Sequence, residues 1–320
     1  MLKFTKRITI RVPHRISGFF EIVDQLNGKF LEDPLKIGSR GAGFNVNAFG
    51  KTIISYEKIK DNEDSQCLIY INGEEVNEQA ETTFYIFKVI EKYLKFRVKT
   101  KIEHFFDLPV GCGYGASGSG ALGAIFGLNQ LFNLNLSSYE CGAIAHTSEV
   151  INKTGLGTVC GQIGGGLCIL KKAGYPCKTE QIKVPRNLIV ICASYGKIAT
   201  KSILSDPILS KRIKEAGRIA LNHLLSKPNH MNFMKCSIEF VRQSEIIEAL
   251  KLDDLKALLN ELNKLKVIGA SMNQLGRSIY VFCKEEKKES VQEVFKTFNA
   301  AVSIICLNVY NGNSIIFERS

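Results

Sequence analysis

The sequence has no tryptophan, few prolines and no apolar run long enough to form a membrane-spanning helix. A helix that crosses a bilayer needs ~20 consecutive, mostly apolar residues. The first residues, Met1–Arg7, lead into a strand-like alternation rather than into the apolar core of a signal peptide. We therefore expect a cytoplasmic protein without a membrane partner.

The ten cysteines and five histidines lack the spacings of a zinc site. No Cys-x-x-Cys pair exists, and the two cysteines closest along the chain are Cys160 and Cys168. Several cysteines lie in apolar, strand-like segments, which predicts small buried residues in a reducing compartment. These cysteines are Cys67, Cys168, Cys192, Cys283 and Cys306.

Acidic residues are outnumbered, 31 against 42 lysines and arginines, which gives a formal net charge of +11. Such a charge favours anionic ligands, either small ones such as ATP and carboxylates or a nucleic acid. The basic residues are scattered in short groups without a nucleic-acid-binding motif, so we expect a small anionic ligand and no nucleic acid. With 320 residues and 45% hydrophobic content, the chain can form two domains or one large one.

The most distinctive stretch is Pro109–Gly123, which contains six glycines, two serines and no charge. It lies between an alternating segment, Phe96–Phe106, that predicts a strand and a small-residue segment, Ser117–Phe132, that predicts a buried helix. Glycine lets the backbone turn and lets a ligand approach it closely. Free amides at a helix start suit a phosphate group. The stretch therefore predicts a phosphate-binding loop, and a glycine-rich packing helix without a ligand is the alternative.

Other phosphate and nucleophile motifs do not fit. Gly113–Gly118 matches G-x-G-x-x-G, but the acid near the required spacing, Glu140, begins a helix instead of ending a strand. The Walker pattern fails because Asn45 stands where Gly50-Lys51-Thr52 would need its first glycine. A G-x-S-x-G elbow fails because Ser119, not glycine, stands two positions after Ser117.

A second glycine-rich segment, Asp33–Gly43, carries Ser39 and Arg40 between its glycines. This pattern predicts a bent loop that directs the arginine into a cleft. A guanidinium group binds a carboxylate through two parallel hydrogen bonds. An ordinary surface turn with a solvated arginine is the alternative.

The segment Ser137–Glu140 has the pattern of a capping box and predicts a helix that continues through Ile151. His146 and Glu149 are three residues apart, which places both on one face of that helix. The face is otherwise small, so it can pack under the glycine-rich loop. A solvated helix carboxylate is the alternative for Glu149.

The remaining pattern predicts an α+β protein with a boundary near residue 185, where Pro176 and Pro185 bracket a linker-like stretch. We expect an N-terminal domain over 1–185 and a C-terminal domain over 186–320. Predicted strands are Ile8–Val12, Phe44–Tyr56, Gln66–Ile71, Leu167–Leu170, Asn187–Ala193, Ser278–Cys283, Val302–Tyr310 and Ile315–Phe317. Further predicted helices are Glu78–Leu94, Pro207–Leu225, Met231–Gln243, Asp253–Leu265 and Glu289–Phe298.

Taken together, these segments resemble the GHMP kinase superfamily. Its phosphate loop, P-x-x-x-G-[LY]-[GA]-x-S-[SAG], matches Pro109–Gly118, and a divergent first motif matches Val12–Glu21. Within the superfamily the chain is most similar to the archaeal pantoate kinases, from Pro13-His14 through Asp33–Gly43 to Met272–Gly276. The resemblance implies a ribosomal-protein-S5-like N-terminal domain, a ferredoxin-like C-terminal domain and ATP bound between them.

The resemblance also implies roles for individual residues. Ser117 and Glu149 correspond to catalytic residues that hold a magnesium ion. Ser39, Arg40 and His146 correspond to contacts with the substrate, pantoate. The residues that correspond to ATP-binding positions are Gly111, Gly113, Gly115, Ala116, Ser117, Gly118 and Ser119.

Two positions depart from the family pattern. The family has an aspartate as candidate base in G-L-G-D-V, where this chain has Thr158. It also has an arginine near the position of Leu170, for which Lys171 or Lys172 is a candidate replacement. We therefore expect an ATP- and Mg²⁺-dependent pantoate kinase of coenzyme A biosynthesis. The alternatives are a kinase of another small hydroxy acid, such as homoserine, and a catalytically silent relative that binds ATP or pantoate. Whether the chain forms a homodimer is left open.

Overall fold

Two large β-sheets, a small two-stranded sheet and their helices make up the computed structural model, which describes residues 6–198, 200–298 and 303–318. The strands are β1 Lys6–Val23, β2 Gln25–Leu26, β3 Lys29–Phe30, β4 Gly38–Lys58, β5 Gln66–Ile71, β6 Glu74–Glu75, β7 Val98–Phe106, β8 Leu167–Lys172, β9 Lys178–Ile182, β10 Leu188–Gly196, β11 Gly269–Met272, β12 Arg277–Lys284, β13 Ser303–Leu307 and β14 Ile316–Glu318. The helices are α1 Glu81–Glu91, α2 Ala116–Phe132, α3 Ser138–Asn152, α4 Thr158–Gly164, α5 Thr200–Ser205, α6 Pro207–Ser226, α7 His230–Ser244, α8 Ile246–Ala249, α9 Asp253–Lys264 and α10 Lys288–Thr297.

The first sheet is built around two long antiparallel strands, β1 and β4. Its order is β14-β1-β4-β7-β5-β6, and β8 and β9 extend it from the other half of β4. Among the described strands of this sheet, only β5 and β7 pair in parallel. Helices α1, α2 and α3 cover one face and bury residues such as Ile10, Ile54 and Ile125 in a common core. The helix predicted from Ser117 and the one predicted from the capping box are both confirmed.

The strands β1 and β4 are much longer than predicted. We expected β1 to end at Pro13, but it continues to Val23 through bulges at Pro13/Arg15 and Ser17/Phe19. Proline has no N–H for a ladder hydrogen bond, and a bulge tolerates that loss. The predicted loop over Asp33–Gly43 is wrong in its second half, because β4 begins at Gly38. A side chain on Gly41 would lie 2.3 Å from the carbonyl oxygen of Phe19. The glycines there allow close strand packing rather than a turn.

The second sheet contains β10, β11, β12 and β13 in the order β11-β12-β10-β13, and all its neighbours are antiparallel. If β10, β11, β12 and β13 are numbered 1 to 4, the order read from β13 is 4-1-3-2. This is the ferredoxin-like arrangement. Helices α6, α7 and α9 lie between β10 and β11, and α10 lies between β12 and β13. The predicted α+β architecture is therefore confirmed. Val302, the first residue of a predicted strand, lies outside the described residues, as does Met1–Thr5, most of the segment predicted to lead into the first strand.

One large hydrophobic core joins the second sheet to the far ends of β1 and β4. Phe44 of β4 packs edge-on against Tyr280 and Phe282 of β12 and against Phe233 of α7. Because this core is continuous, residues 16–22 of β1 and 42–48 of β4 are packed in a fixed position against the second sheet. Among the described residues, no helix is both long and apolar enough to cross a bilayer.

Two segments between α3 and β10 were missed by the sequence analysis. The glycine-dense stretch after Thr154 contains α4, and the stretch between the two prolines contains β9, which pairs with β8. Cys160 of α4 forms a disulfide with Cys177, a pair that the sequence analysis did not predict. The cysteines that were predicted to be buried are free, although Cys67 and Cys306 are only partly buried.

Candidate functional site

The glycine-rich loop leads directly into the first turn of α2. Gly111, Gly113 and Gly115 have φ values of +82°, +89° and +68°, which is the left-handed region that favours glycine. Gly115 precedes the helix, and no side chain of the described residues caps its first amides. These amides and the positive end of the helix dipole are therefore available to an anion.

The loop is enclosed on two sides. A side chain on Gly113 would lie 3.0 Å from the side-chain amide of Asn273, in the turn between β11 and β12. A side chain on Gly115 would lie 2.9 Å from the methyl group of Thr158, at the start of α4. The loop therefore holds its backbone shape against neighbours from both halves of the chain.

Ser117 and Glu149 lie together beside the loop, as the resemblance implied. The Ser117 hydroxyl donates a 2.7 Å hydrogen bond to Oε1 of Glu149, and the amide of Val159 donates one of 3.3 Å to Oε2. Glu149 is only 1% exposed, and burial raises its pKa to about 7 against the opposing effect of these hydrogen bonds. No lysine or arginine of the described residues forms an ion pair with it.

This pair fits a magnesium ion. Magnesium binds one or two protein oxygens together with waters and substrate phosphates rather than a full cage of side chains. Glu149 is a buried carboxylate that has no ion-pair partner among the described residues. Together with the Ser117 hydroxyl, and next to the uncapped amides of α2, it offers such a ligand set. The described residues contain no cluster of three or more acidic, histidine or cysteine side chains that would suit another metal.

Two cavities adjoin at this place. The loop cavity, about 310 Å³ in volume, is lined by the loop glycines, Ser117 and residues from β10–α5 such as Lys201. The strand cavity, about 40 Å³, is lined by Ser39 and Arg40 of β4 and by Leu170 of β8. The residues that line both are Arg15, Ser17, Thr158, Gln274 and Leu275. A phosphate held on the loop would therefore lie next to a small second compartment.

Arg40 lies in the wall of the strand cavity, and its predicted bidentate contact is made within the protein. Its Nε and Nη2 donate hydrogen bonds of 2.9 Å to the two carboxylate oxygens of Glu21, on the adjacent strand β1. No pattern in the sequence indicates this partner. Nη1 makes no hydrogen bond among the described residues, so the guanidinium keeps donors for a further ligand.

Ser39 and His146 differ in their relation to the strand cavity. Ser39 lines it, and its hydroxyl oxygen lies 2.3 Å from where a side chain on Gly157 would begin. His146 is buried behind the wall, with Nε2 at 2.9 Å from the carbonyl oxygen of Ile37, and burial lowers its pKa. His146 lines neither cavity. It therefore holds the segment that enters β4.

Thr158 is the first residue of α4 and lies at the junction of the two cavities. The lysines proposed to replace the family arginine do not line either cavity. Lys171 pairs with Glu180 of β9 at 2.8 Å, and Lys172 is exposed. That expectation is not met by the structure.

Sequence reasoning missed Arg15 as a site residue. Arg15 is 3% exposed and lies at the same junction as Thr158. Arg15 belongs to the segment Val12–Glu21, which matches the first motif of the superfamily. A single basic residue two positions after a proline has no spacing that marks it as functional. Only the register of β1 against β4 brings it beneath α4.

Comparison with known proteins gives one consistent result. Residues 83–166 match the family "GHMP kinases N terminal domain". A pantoate kinase from Methanocaldococcus jannaschii is 34% identical over 93% of this chain and 98% of its own length. A homoserine kinase from Sulfurisphaera tokodaii is 27% identical over 79% of this chain and 87% of its own. A solved "Phosphotransferase related to CoA biosynthesis pathway" superposes with a TM-score of 0.83 at 28% identity, over 98% of this chain and 99% of the other.

Proposed function

The chain belongs to the pantoate kinase family of the GHMP kinases, and from that premise we propose that it transfers the γ-phosphoryl group of ATP to the primary hydroxyl of pantoate. The product is 4-phosphopantoate, an intermediate of coenzyme A biosynthesis. The observation that carries the proposal is the pair of adjoining cavities, one beside a phosphate-binding loop and one beside an arginine. Their junction is where a phosphoryl group has to pass between two substrates.

ATP occupies the loop cavity in this proposal. The amides of the loop and of the first residues of α2, from Gly111 to Ser117, receive its phosphates, because no side chain of the described residues caps the start of α2. The N–H of Ser119 donates to the carbonyl oxygen of Gly115 instead. The cavity is also lined by residues on both sides of position 185, such as Thr154 and Gln274. This is consistent with a boundary near residue 185 and with ATP between the two proposed domains.

Ser117 and Glu149 hold the magnesium ion. Both side chains offer hard oxygen ligands. The ion would supply the positive charge that no lysine or arginine of the described residues supplies beside the buried Glu149 carboxylate. When bound, magnesium neutralises charge on the phosphate oxygens of ATP. The residues themselves fix where that charge lies, because α2 and α3 are held together by the Ser117–Glu149 hydrogen bond.

Pantoate occupies the strand cavity. Arg40 is placed to bind its carboxylate through Nη1, while Nε and Nη2 stay on Glu21. Ser39 contributes a hydroxyl from the neighbouring position of β4, and His146 positions the segment that carries both. The substrate hydroxyl then faces the junction with the loop cavity.

The transfer proceeds without a carboxylate base at position 158. The hydroxyl oxygen of pantoate bonds to the γ-phosphorus while the bond to the β,γ-bridging oxygen breaks, and ADP leaves with that electron pair. The hydroxyl proton passes to a phosphate oxygen or to water. Phosphoryl transfer has a loose transition state that depends mainly on positioning and charge neutralisation, so Thr158 serves to orient the hydroxyl.

A coupled assay of ADP release with pantoate, homoserine and other small hydroxy acids tests the proposal. We expect the highest kcat/KM with pantoate and a phosphomonoester on its primary hydroxyl in ³¹P NMR. A higher value with homoserine would contradict the substrate.

Thr158 favours one second candidate, a relative that binds ATP and pantoate without reaction. For that candidate, calorimetry would detect both ligands while no hydroxy acid is phosphorylated. The coupled assay and calorimetry together therefore separate an active kinase from a silent one.

A further inference from the structure

A buried glutamine of α4, Gln162, joins strand β1 to the phosphate loop. Its Nε2 donates hydrogen bonds of 3.0 Å to the carbonyl oxygen of Pro13 and of 3.1 Å to that of Gly115. A glutamine amide has two N–H donors, so both are used. The opposite orientation of the amide would place its oxygen against two carbonyl oxygens, so these bonds fix which end faces β1 and the loop. The side chain is fully buried.

The carbonyl group of Gly115 belongs to the last peptide unit before α2. Gly115 lines the loop cavity and has a φ of +68°. A trans peptide group is planar, and its C=O and N–H point in opposite directions. Because Gln162 holds the Gly115 oxygen, it also fixes the direction of the Ala116 N–H, the first amide of the helix. The proposed function assigns this amide to the phosphates of ATP.

The oxygen of the Gln162 amide has no hydrogen-bond partner among the described residues. It lies 2.5 Å from where a side chain on Gly118 would begin, directly against α2. A buried amide oxygen without a partner lowers the stability of the folded protein. An apolar side chain of similar length, such as methionine, would fill the same space without that cost. Packing alone therefore does not explain a glutamine here, whereas the two carbonyl groups that it binds do.

We propose that Gln162 is a positioning residue for the phosphate loop, which directs the first amide of α2 toward the phosphates of ATP. This inference rests on the proposed kinase function. Gln162 lines neither cavity, so it acts through Gly115 rather than by touching a substrate. Thr158, one turn earlier on the same face of α4, packs its methyl group against the loop as well, 2.9 Å from where a side chain on Gly115 would begin. One face of α4 thus supports the start of α2.

The competing explanation is that Gln162 only anchors α4 in the fold. A matched control exists for that role, because a second glutamine, Gln181 of β9, also binds α4 through its side chain. Its Nε2 donates a 2.9 Å hydrogen bond to the carbonyl oxygen of Gly164, the last residue of the helix. Gln181 makes no hydrogen bond to the phosphate loop among the described residues. Replacing each glutamine separately therefore distinguishes anchoring of α4 from positioning of the loop.

The test compares Gln162→Met and Gln181→Met with the wild-type protein. We expect Gln162→Met to weaken ADP binding in calorimetry and to raise the KM for ATP by ~10-fold, because a misdirected amide loses a hydrogen bond to a charged phosphate. The KM for pantoate should change by less than about twofold and the thermal midpoint by less than ~5 °C. Gln181→Met should bind ADP like the wild type. Without nucleotide, hydrogen exchange over Ala116–Ser119 should be faster in Gln162→Met alone, since the Ser119 N–H shares the Gly115 oxygen.

Unchanged ADP affinity in Gln162→Met would overturn the inference, as would an equal loss in Gln181→Met or a loss explained by thermal unfolding. If Gln162→Met does not fold, the same measurements are made on Gln162→Asn, whose amide is one methylene too short to reach both carbonyl groups. Calorimetry with ADP and hydrogen exchange need no acceptor, so they remain decisive if the wild-type protein fails to phosphorylate pantoate. That failure would reject the proposed function alone.

Discussion

The hydroxyl of Ser117 donates a 2.7 Å hydrogen bond to the carboxylate of Glu149, which joins the first turn of α2 to the last turn of α3. A side chain on Gly155 would lie 2.5 Å from the same carboxylate oxygen, so the surrounding chain leaves little freedom for Glu149 to move. The pair is therefore preorganised beside the phosphate loop.

The first prediction concerns this pair. We expect Glu149→Gln to lower kcat by ~100-fold or more and to abolish the normal dependence of the rate on magnesium, because an amide is a poorer ligand for a hard cation. The protein should stay folded, since a neutral amide costs less to bury than a carboxylate. Steady-state kinetics over a magnesium titration and circular dichroism measure both effects.

Glu140→Gln is the matched control, because Glu140 is an exposed carboxylate of the same helix that closes its capping box. That variant should lose about 1 kcal/mol of stability or less and keep its activity. Normal turnover of Glu149→Gln with unchanged magnesium dependence would contradict the metal assignment.

The second prediction concerns Arg40. A hydrogen bond to a charged group contributes about 1.5–3 kcal/mol, so Arg40→Ala should raise the Michaelis constant for pantoate by ~10–100-fold and leave that for ATP nearly unchanged. The variant also leaves Glu21 without its partner, and Glu21 is itself buried. Part of any loss is therefore structural.

The double variant Arg40→Ala/Glu21→Gln separates the two effects of Arg40. It removes the unpaired carboxylate, so its stability should recover while the Michaelis constant for pantoate stays high. Recovery of pantoate binding together with stability would assign Arg40 a structural role only.

The third prediction concerns Thr158. A threonine hydroxyl does not ionise near neutral pH, so the wild-type pH–rate profile should lack a limb from an aspartate at this position. We expect Thr158→Asp to leave kcat unchanged or to raise it, by at most the ~10²–10⁴-fold that general-base catalysis supplies. Thr158→Val, which keeps the shape and removes the hydroxyl, is the control for packing against the loop.

An inert wild-type protein that becomes active as Thr158→Asp would establish the silent relative instead. If both proteins are inert while ATP still binds, pantoate is not the substrate.

The fourth prediction concerns pH and stability. His104 and His14 are buried, and desolvation lowers the pKa of each from 6.5 to about 4. Between pH 6.5 and pH 4 these two histidines bind more protons in the unfolded chain than in the folded one, so their contribution to the free energy of unfolding falls as pH falls. The raised pKa of Glu149 acts in the opposite direction between pH 7 and pH 4.5. Each histidine contributes up to ~1.4 kcal/mol per pH unit in this window.

Chemical denaturation at pH 7 and at pH 5 measures the slope. His104 bonds Thr52 and Thr83 through its two ring nitrogens, so His104→Gln should be less stable at pH 7 yet lose less stability on acidification. An unchanged slope in His104→Gln would show that this histidine has the same pKa in the folded protein as in the unfolded chain.

Local signals in the sequence account for much of the fold. The capping box of Ser137 and Glu140 placed α3, and the small-residue run after Ser117 placed α2, because both patterns act within a few residues. The glycines of β4 misled the analysis. Glycine is needed there because β1, some twenty positions earlier in the chain, approaches closely. A local sequence pattern cannot distinguish such a close approach from a turn.

The residues of the candidate site also fall into two groups, those that local motifs predicted and those that they did not. Ser117, Glu149 and Ser39 were found through motifs, and the structure places each in or beside the two cavities. Arg15, the Glu21 partner of Arg40 and the Cys160–Cys177 pair were missed. Each depends on contacts between segments far apart in sequence, and none has a spacing rule.

The pairing of β14 with β1 has a consequence for how the chain is synthesised. Residues 316–318 supply the neighbour of Thr9, Ile10 and Arg11, so the first sheet is complete only after residue 318 has left the ribosome. Until then one edge of β1 presents unpaired backbone groups over that stretch, and such edges can pair with other chains. A nascent chain stalled before residue 316 would therefore hold a phosphate loop and most of its frame, but with an open edge that a chaperone could recognise.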